Sequence, residues 1–136
     1  MKVSREEDYA VALVSALAKY YGNGFVSLDS VIKKHNMPER FVRGIAVKLQ
    51  KADLIESKEG RSGGVMLAKP PASILVSDIL SAFGNLPIES HCSDPKHQSH
   101  CPNYDTCTAR KTWELINEAL AKKLGTTSIA QIEKLT

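Results

Sequence analysis

Several large protein classes are excluded by what this sequence does not contain. No apolar run approaches the roughly 20 residues needed to span a bilayer. The opening MKVSREEDYAV carries charge where a secretory leader would be apolar, so a cytoplasmic protein with no membrane partner is expected. There are only three cysteines, an odd number, and a reducing compartment argues against structural disulfides. No nucleophile and base occur at a supporting spacing and no glycine motif would cradle a phosphate, so no enzyme is expected. Neither an internal repeat nor a low-complexity segment is present.

What remains is the length and composition of one domain, or of a small domain with a helical arm: 136 residues, 43% hydrophobic and 24% charged. The net charge of +3 is unevenly spread. Residues 1–70 carry 12 Lys+Arg against 8 Asp+Glu, a balance of +4, whereas residues 71–136 carry 6 against 7, a balance of −1. A basic N-terminal half is the electrostatic footprint of an anion-binding face, nucleic acid being the commonest such partner.

Taken in order, Tyr9, Leu13, Ala16, Leu17 and Tyr20 fall at helical spacing over residues 6–21, with Gly22 and Gly24 as the stop. Phe25 and Val26 form an extended connector, and Ser27 caps a second helix with Leu28, Val31 and Ile32 inward. Asn36 and Met37 make a tight turn, and Pro38 takes the first position of a third helix over residues 38–52. That helix buries Phe41, Val42, Ile45, Ala46 and Leu49 and presents Arg40, Arg43, Lys48 and Lys51 on its other face.

Two short helices with the second one basic read either as helix-turn-helix or as a generic helical hairpin. The next stretch favours the former. Residues 54–57 and 65–68 are strand-like and are joined by KEGRSGG, a β-hairpin with Lys58 and Arg61 at its tip. A hairpin in that place is a wing, and an arginine on a slender tip can enter a narrow minor groove. Gly63 and Gly64 fit positions of positive φ.

A fourth helix follows with Ser77 as its cap and Val76, Ile79, Leu80 and Phe83 on one side. After the cysteine-bearing segment comes a long helix over residues 108–124. Its Trp113, Ile116, Leu120 and Leu124 form an apolar stripe that a domain of this size has little core to cover, so the stripe is read as a dimer seam. Ser128-Ile129-Ala130-Gln131 is a capping-box pattern opening a last short helix over residues 128–135. The fold class is thus mainly α with a small β-wing: a winged helix-turn-helix plus a long C-terminal dimerisation helix. Three regions are expected: a DNA-binding head (1–84), a cysteine-rich loop (85–107), and a dimerisation helix with a short last helix (108–136).

Residues 91–107, HCSDPKHQSHCPNYDTC, hold all three cysteines and three of the four histidines, and no aliphatic residue. Ordering a loop costs about 1–2 kcal/mol per residue, and this one has no apolar side chain to offset it. Thiolates beside imidazoles point to a metal or an iron–sulfur cluster. Structural zinc more often uses paired C-x2-C knuckles, which are absent. A sensor working through thiols alone stays open, as does a small redox or electron-transfer protein, against which the wing argues. His91, His97 and His100 are candidate local ligands, and His35 is read as solvated.

The order of basic helix-turn-helix, wing reading EGRSGGVMLA, three-cysteine loop, helix with KTWELINEAL, then TTSIAQI resembles the IscR/NsrR family of bacterial winged-helix regulators over essentially the whole chain. Many of its members sense iron–sulfur status, nitric oxide or redox state. The resemblance implies a homodimeric transcription regulator, a repressor by expectation, on a palindromic double-stranded DNA operator. It also implies a 2Fe–2S or 4Fe–4S cluster on Cys92, Cys101 and Cys107. Residues 38–51 would enter the major groove, with Ser27, Pro38, Glu39, Arg40, Arg43, Lys48, Lys51 and Lys58 at the DNA and Arg61 in the minor groove.

Two departures bear on the site. The spacing C-x8-C-x5-C is longer in its first loop than is usual in the family. The position of the histidine ligand of IscR-like members is Arg110, which cannot ligate a metal. By likeness to NsrR-like members, the fourth ligand falls to Asp8 of the partner subunit, a residue equally explained as a favourable charge in the first turn of its helix.

Overall fold

The expected alternation of helix, turn and hairpin is realised in a computed structural model that describes residues 2–84, 92 and 94–135. The first helix, α1 (Arg5–Ala18), starts at a capping box: Ser4 Oγ accepts from the Glu7 amide at 3.1 Å, and the Ser4 amide donates to Glu7 Oε2 at 2.8 Å. α2 (Leu28–Lys34) is capped by Ser27, and α3 (Glu39–Lys51) has Pro38 as its N-cap residue. Between α2 and α3, Asn36 takes a left-handed conformation with φ of 51°, a region that asparagine tolerates. The Met37 amide donates back to Ile32 O at 2.9 Å. Pro38 is therefore the residue just outside α3 and not its first helical residue.

The wing is an antiparallel pair, β1 (Ile55–Lys58) and β2 (Gly64–Leu67), with Ile55 opposite Leu67 and Lys58 opposite Gly64. The connector residue Val26 adds a rung. Its amide donates to Val65 O at 2.9 Å and its carbonyl accepts from the Val65 amide at 2.8 Å. This rung explains Gly64, whose φ is +146° and where a Cβ would lie 2.1 Å from Val26 O. Gly63 departs from the expectation of a positive φ. It is required because a Cβ there would lie 2.1 Å from Lys58 O.

A 3₁₀ turn (Pro71–Ser73) leads into α4 (Val76–Ser81). Ser77 is not its cap. Leu75 is the N-cap residue, and Asp78 Oδ2 accepts from the Leu75 amide at 2.9 Å, which places Ser77 inside the first turn. The cysteine-bearing segment is also not all loop. Residues Pro95–His100 form α5, started by Asp94 Oδ1 accepting from the Lys96 amide at 2.9 Å, with Pro95 in the first turn. Then α6 (Thr108–Leu124) and α7 (Ile129–Glu133) follow, α7 opened by the expected Ser128/Gln131 capping box.

The core gathers around α1, whose Ala10, Leu13, Val14 and Leu17 meet Val42, Ile45 and Leu49 of α3, Leu54 just before the wing, Ile55 of β1, Ile74 and Ile79. Each Val, Leu or Ile side chain among them contributes about 1.5–3 kcal/mol when fully buried. The chain returns to this core at its end. The Val76 amide donates to Thr127 O and the Ile129 amide to Ile74 O, both at 2.9 Å, and Ile129 is fully buried. No helix among the described residues is long and apolar enough to cross a membrane.

Candidate nucleic-acid interface and cysteine segment

With Val42, Ile45, Ala46 and Leu49 turned to the core, α3 shows solvent Glu39, Arg40, Arg43, Gly44, Val47, Gln50 and Lys51. The expected basic residues on it are not equivalent. Arg40 and Lys51 make no ion pair among the described residues. The Arg43 guanidinium is held by Asp29 of α2 and by Glu39 one turn earlier, so it braces the two helices. Lys48 lies on the flank facing α1, where its Nζ sits 2.8 and 2.9 Å from the two carboxylate oxygens of Glu6 and 5.4 Å from the centre of the Phe83 ring. Exposed ion pairs of this kind contribute about 0–1 kcal/mol each, so these contacts orient side chains more than they stabilise the fold.

Ser27 is exposed and spends its hydroxyl on the Ser30 amide at 3.4 Å. On the wing, Lys58 Nζ lies 5.9 Å from the centre of the Phe25 ring, and Arg61 is exposed at the tip. The charge pattern pointed to neither Gly44 nor Val47; in the sequence Gly44 stands out only as unlike the residue usual at that place in IscR-like members. They lie at the middle of the exposed face, and Val47 is 51% exposed.

In the second region, Cys92, Cys101 and Cys107 are free and half-buried. Cys101 closes α5 and Cys107 precedes α6 as its N-cap residue. Gln98 Nε2 donates to Cys92 O at 2.9 Å, which ties the first cysteine to α5. Arg110 shapes the turn between the other two. Its Nε donates to Tyr104 O at 2.6 Å, its guanidinium lies over the Tyr104 ring at 4.4 Å, and it pairs with Glu114. Desolvation, the largest single influence on Arg110, lowers its pKa. The hydrogen bond and charge of Glu114, with Tyr104 and Asp105, outweigh that and raise it above the ordinary arginine value. Arg110 is thus a permanent cation and a clamp.

Of the histidines, His100 Nδ1 engages Lys96 O at 2.8 Å and Ser99 Oγ at 2.9 Å. His97 is half-buried, and His91 lies outside the described residues. Asp8 is exposed on α1, its amide donating to Ser4 O at 3.0 Å. Among the described residues no three His, Cys, Asp or Glu side chains converge as a metal site. The donor set fits iron–sulfur chemistry by type, three thiols close in sequence, and one chain does not draw them together.

The expected seam follows on α6, where no residue is buried. Trp113 and Ile116 are 42% and 37% exposed, Leu120 and Leu124 are half-buried, and the unexpected Leu115 is 68% exposed.

Comparison with known proteins gives consistent answers. The Rrf2 family, described as iron-dependent transcriptional regulators, matches residues 3–134. The HTH-type transcriptional regulator IscR of Cereibacter sphaeroides is 44% identical over 84 residues, 60% of this chain and 54% of that protein. Among solved structures, CymR, the global cysteine regulator of B. subtilis, aligns with a TM-score of 0.81 at 25% identity, covering 100% of this chain and 98% of that one. IscR of T. potens aligns at 0.77 and 25% identity, covering 98% and 87%.

Proposed function

The chain belongs to the Rrf2 family of DNA-binding transcriptional regulators, which are not enzymes, and from that premise we propose a cytoplasmic, homodimeric repressor that reads a palindromic operator. In this reading residues 1–84 bind DNA, residues 85–107 receive the signal, and residues 108–136 carry the dimer seam. The observation that carries it is the outward side of the head. There α3 offers Arg40 and Lys51 and the adjoining wing offers Lys58 and Arg61, while Val42, Ile45, Ala46 and Leu49 of α3 and Ile55, Val65 and Leu67 of the wing are committed to the core. Phosphate contacts from these cations would supply most of the affinity, and α3 in the major groove with Arg61 in the minor groove most of the specificity. Two recognition helices about 34–36 Å apart would read half-sites one helical turn apart.

For the receiver we propose an iron–sulfur cluster held by Cys92, Cys101 and Cys107, with Asp8 of the partner subunit as fourth ligand. Such a group supplies reversible redox and nitric-oxide chemistry. The thiols bind it, α5 and the Arg110 clamp order the segment, and α6 carries any change toward the seam. The iron dependence in the family's description supports this reading. A second reading is a cluster-free thiol switch on the same cysteines, favoured by Arg110 at the family's ligand position and by the likeness to CymR.

Anaerobic reconstitution with iron and sulfide counting separates the two. Stoichiometric iron and sulfide, lost on replacing Cys101 by alanine, supports the cluster. A colourless protein whose salt-sensitive operator shift still responds to thiol oxidation supports the switch. No specific shift in any form would sink the regulator itself.

A further inference from the structure

The outward face of α3 has a gap at its centre. Gly44 sits in mid-helix, where glycine weakens a helix relative to alanine. Nothing among the described residues calls for it, since a Cβ built there meets no atom within 4 Å and its φ is not positive. One turn further on, Val47 is 51% exposed. Arg40 lies one turn before Gly44 and Lys51 one turn after Val47. Arg43, the neighbour that could fill the gap, is drawn aside by Asp29 and Glu39. The result is a small apolar notch between two cations.

A helix lying in a major groove meets phosphates along its edges and base edges along its centre, and the one methyl group displayed there belongs to thymine. Arg40 and Lys51 stand at the two ends of this notch, within reach of phosphates where the helix enters and leaves the groove, which argues for DNA over a protein surface as the occupant. We propose that Gly44 and Val47 form a thymine-reading notch. The missing Cβ at Gly44 brings the backbone of α3 close to the base edges, and Val47 packs on the 5-methyl group of a thymine in each half-site. This rests on the operator-reading function proposed above and adds the base it reads and the residues that read it.

The test starts by selecting duplexes from a random-sequence pool with the full-length protein, in both anaerobically reconstituted and metal-free forms. The best duplex is then resynthesised with deoxyuridine at each symmetry-related pair of thymines in turn. Removing one methyl should weaken binding about fourfold, the factor equivalent to about 0.8 kcal/mol, so one pair should cost about 15-fold in a dimer. That loss should fall below about twofold in Val47→Ala. Gly44→Ala should raise Tm by roughly 2–5 °C while weakening binding to the selected duplex about tenfold or more.

Deoxyuridine tolerated at every position, an equal loss in Val47→Ala, or Gly44→Ala binding as tightly as wild type would each overturn the notch and leave the regulator standing. No sequence enriched in either form would remove the operator reading and the notch together.

Discussion

Replacing Gly64 by alanine should detach the wing from the helical head. The new Cβ would lie 2.1 Å from Val26 O and 2.5 Å from Val26 C, and both are backbone atoms with no side-chain rotation to relieve them. The rung between Val26 and Val65 would have to open, giving up hydrogen bonds of 2.9 and 2.8 Å, each contributing about 1 kcal/mol net. The φ of +146° adds strain of about 1–2 kcal/mol for any residue with a side chain. The expected loss is about 3–4 kcal/mol, a large share of the roughly 5–15 kcal/mol typical of a folded domain. Urea unfolding followed by circular dichroism, at fixed protomer concentration, should show the midpoint falling by about 1.5–2 M for an m-value near 2 kcal/mol/M. Gly60→Ala is the control, since Gly60 has a positive φ of +105° with no atom within 4 Å of the added Cβ, and should lose only the strain. Equal midpoints for the two variants would refute the steric argument.

Three further outcomes are expected. If Arg40, Lys51, Lys58 and Arg61 of each subunit neutralise one phosphate apiece, the logarithm of operator affinity should fall against log salt with a slope of about −7, and Arg61→Ala should reduce that slope by about 2; an unchanged slope in a gel-shift titration would show the wing tip off the DNA. Ile116→Glu should raise the dimer dissociation constant about 100-fold by sedimentation, with the circular dichroism spectrum unaltered; a dimer of unchanged strength would move the seam elsewhere. Arg110→Ala should loosen the turn between Cys101 and Cys107 and speed thiol labelling of both severalfold, with global stability changed by no more than about 1 kcal/mol; equal labelling rates would show that Tyr104 and Arg110 do not order the turn.

The sequence exposed local devices and hid tertiary ones. The Ser128 capping box, the Asn36 turn and the glycine-rich wing follow from residues three or four apart, so periodicity and turn chemistry suffice to place them. Lys48 read as one more cation on the recognition helix because its partner, Glu6, is 42 residues away. Ser77 is a good capping residue displaced by the Leu75–Asp78 pairing. α5 was announced by Asp94-Pro95, a cap followed by proline. It was overlooked because a segment without aliphatic residues was read as a loop that only a metal or cluster would order, whereas a single capped turn and a half needs no apolar face. For the site, the three thiols were evident from composition. Their mutual placement was not, since one chain does not bring them together and the expected fourth donor comes from a second copy. Val47 escaped notice because a reading built on charge passes over an uncharged residue.

The return of the chain at residues 127–129 has a mechanical consequence. The arm formed by the cysteine segment and α6 departs after α4 and is stitched back at the entrance to α4, by Val76 to Thr127 and Ile129 to Ile74. It is therefore a beam fixed at its far end, beside the start of α4. A beam of that kind cannot swing as a loose tail would. In the cluster reading, tension created by gathering the cysteines would reach the start of α4 through α6, and Phe83, just beyond α4, lies against the Lys48 that α3 extends toward it.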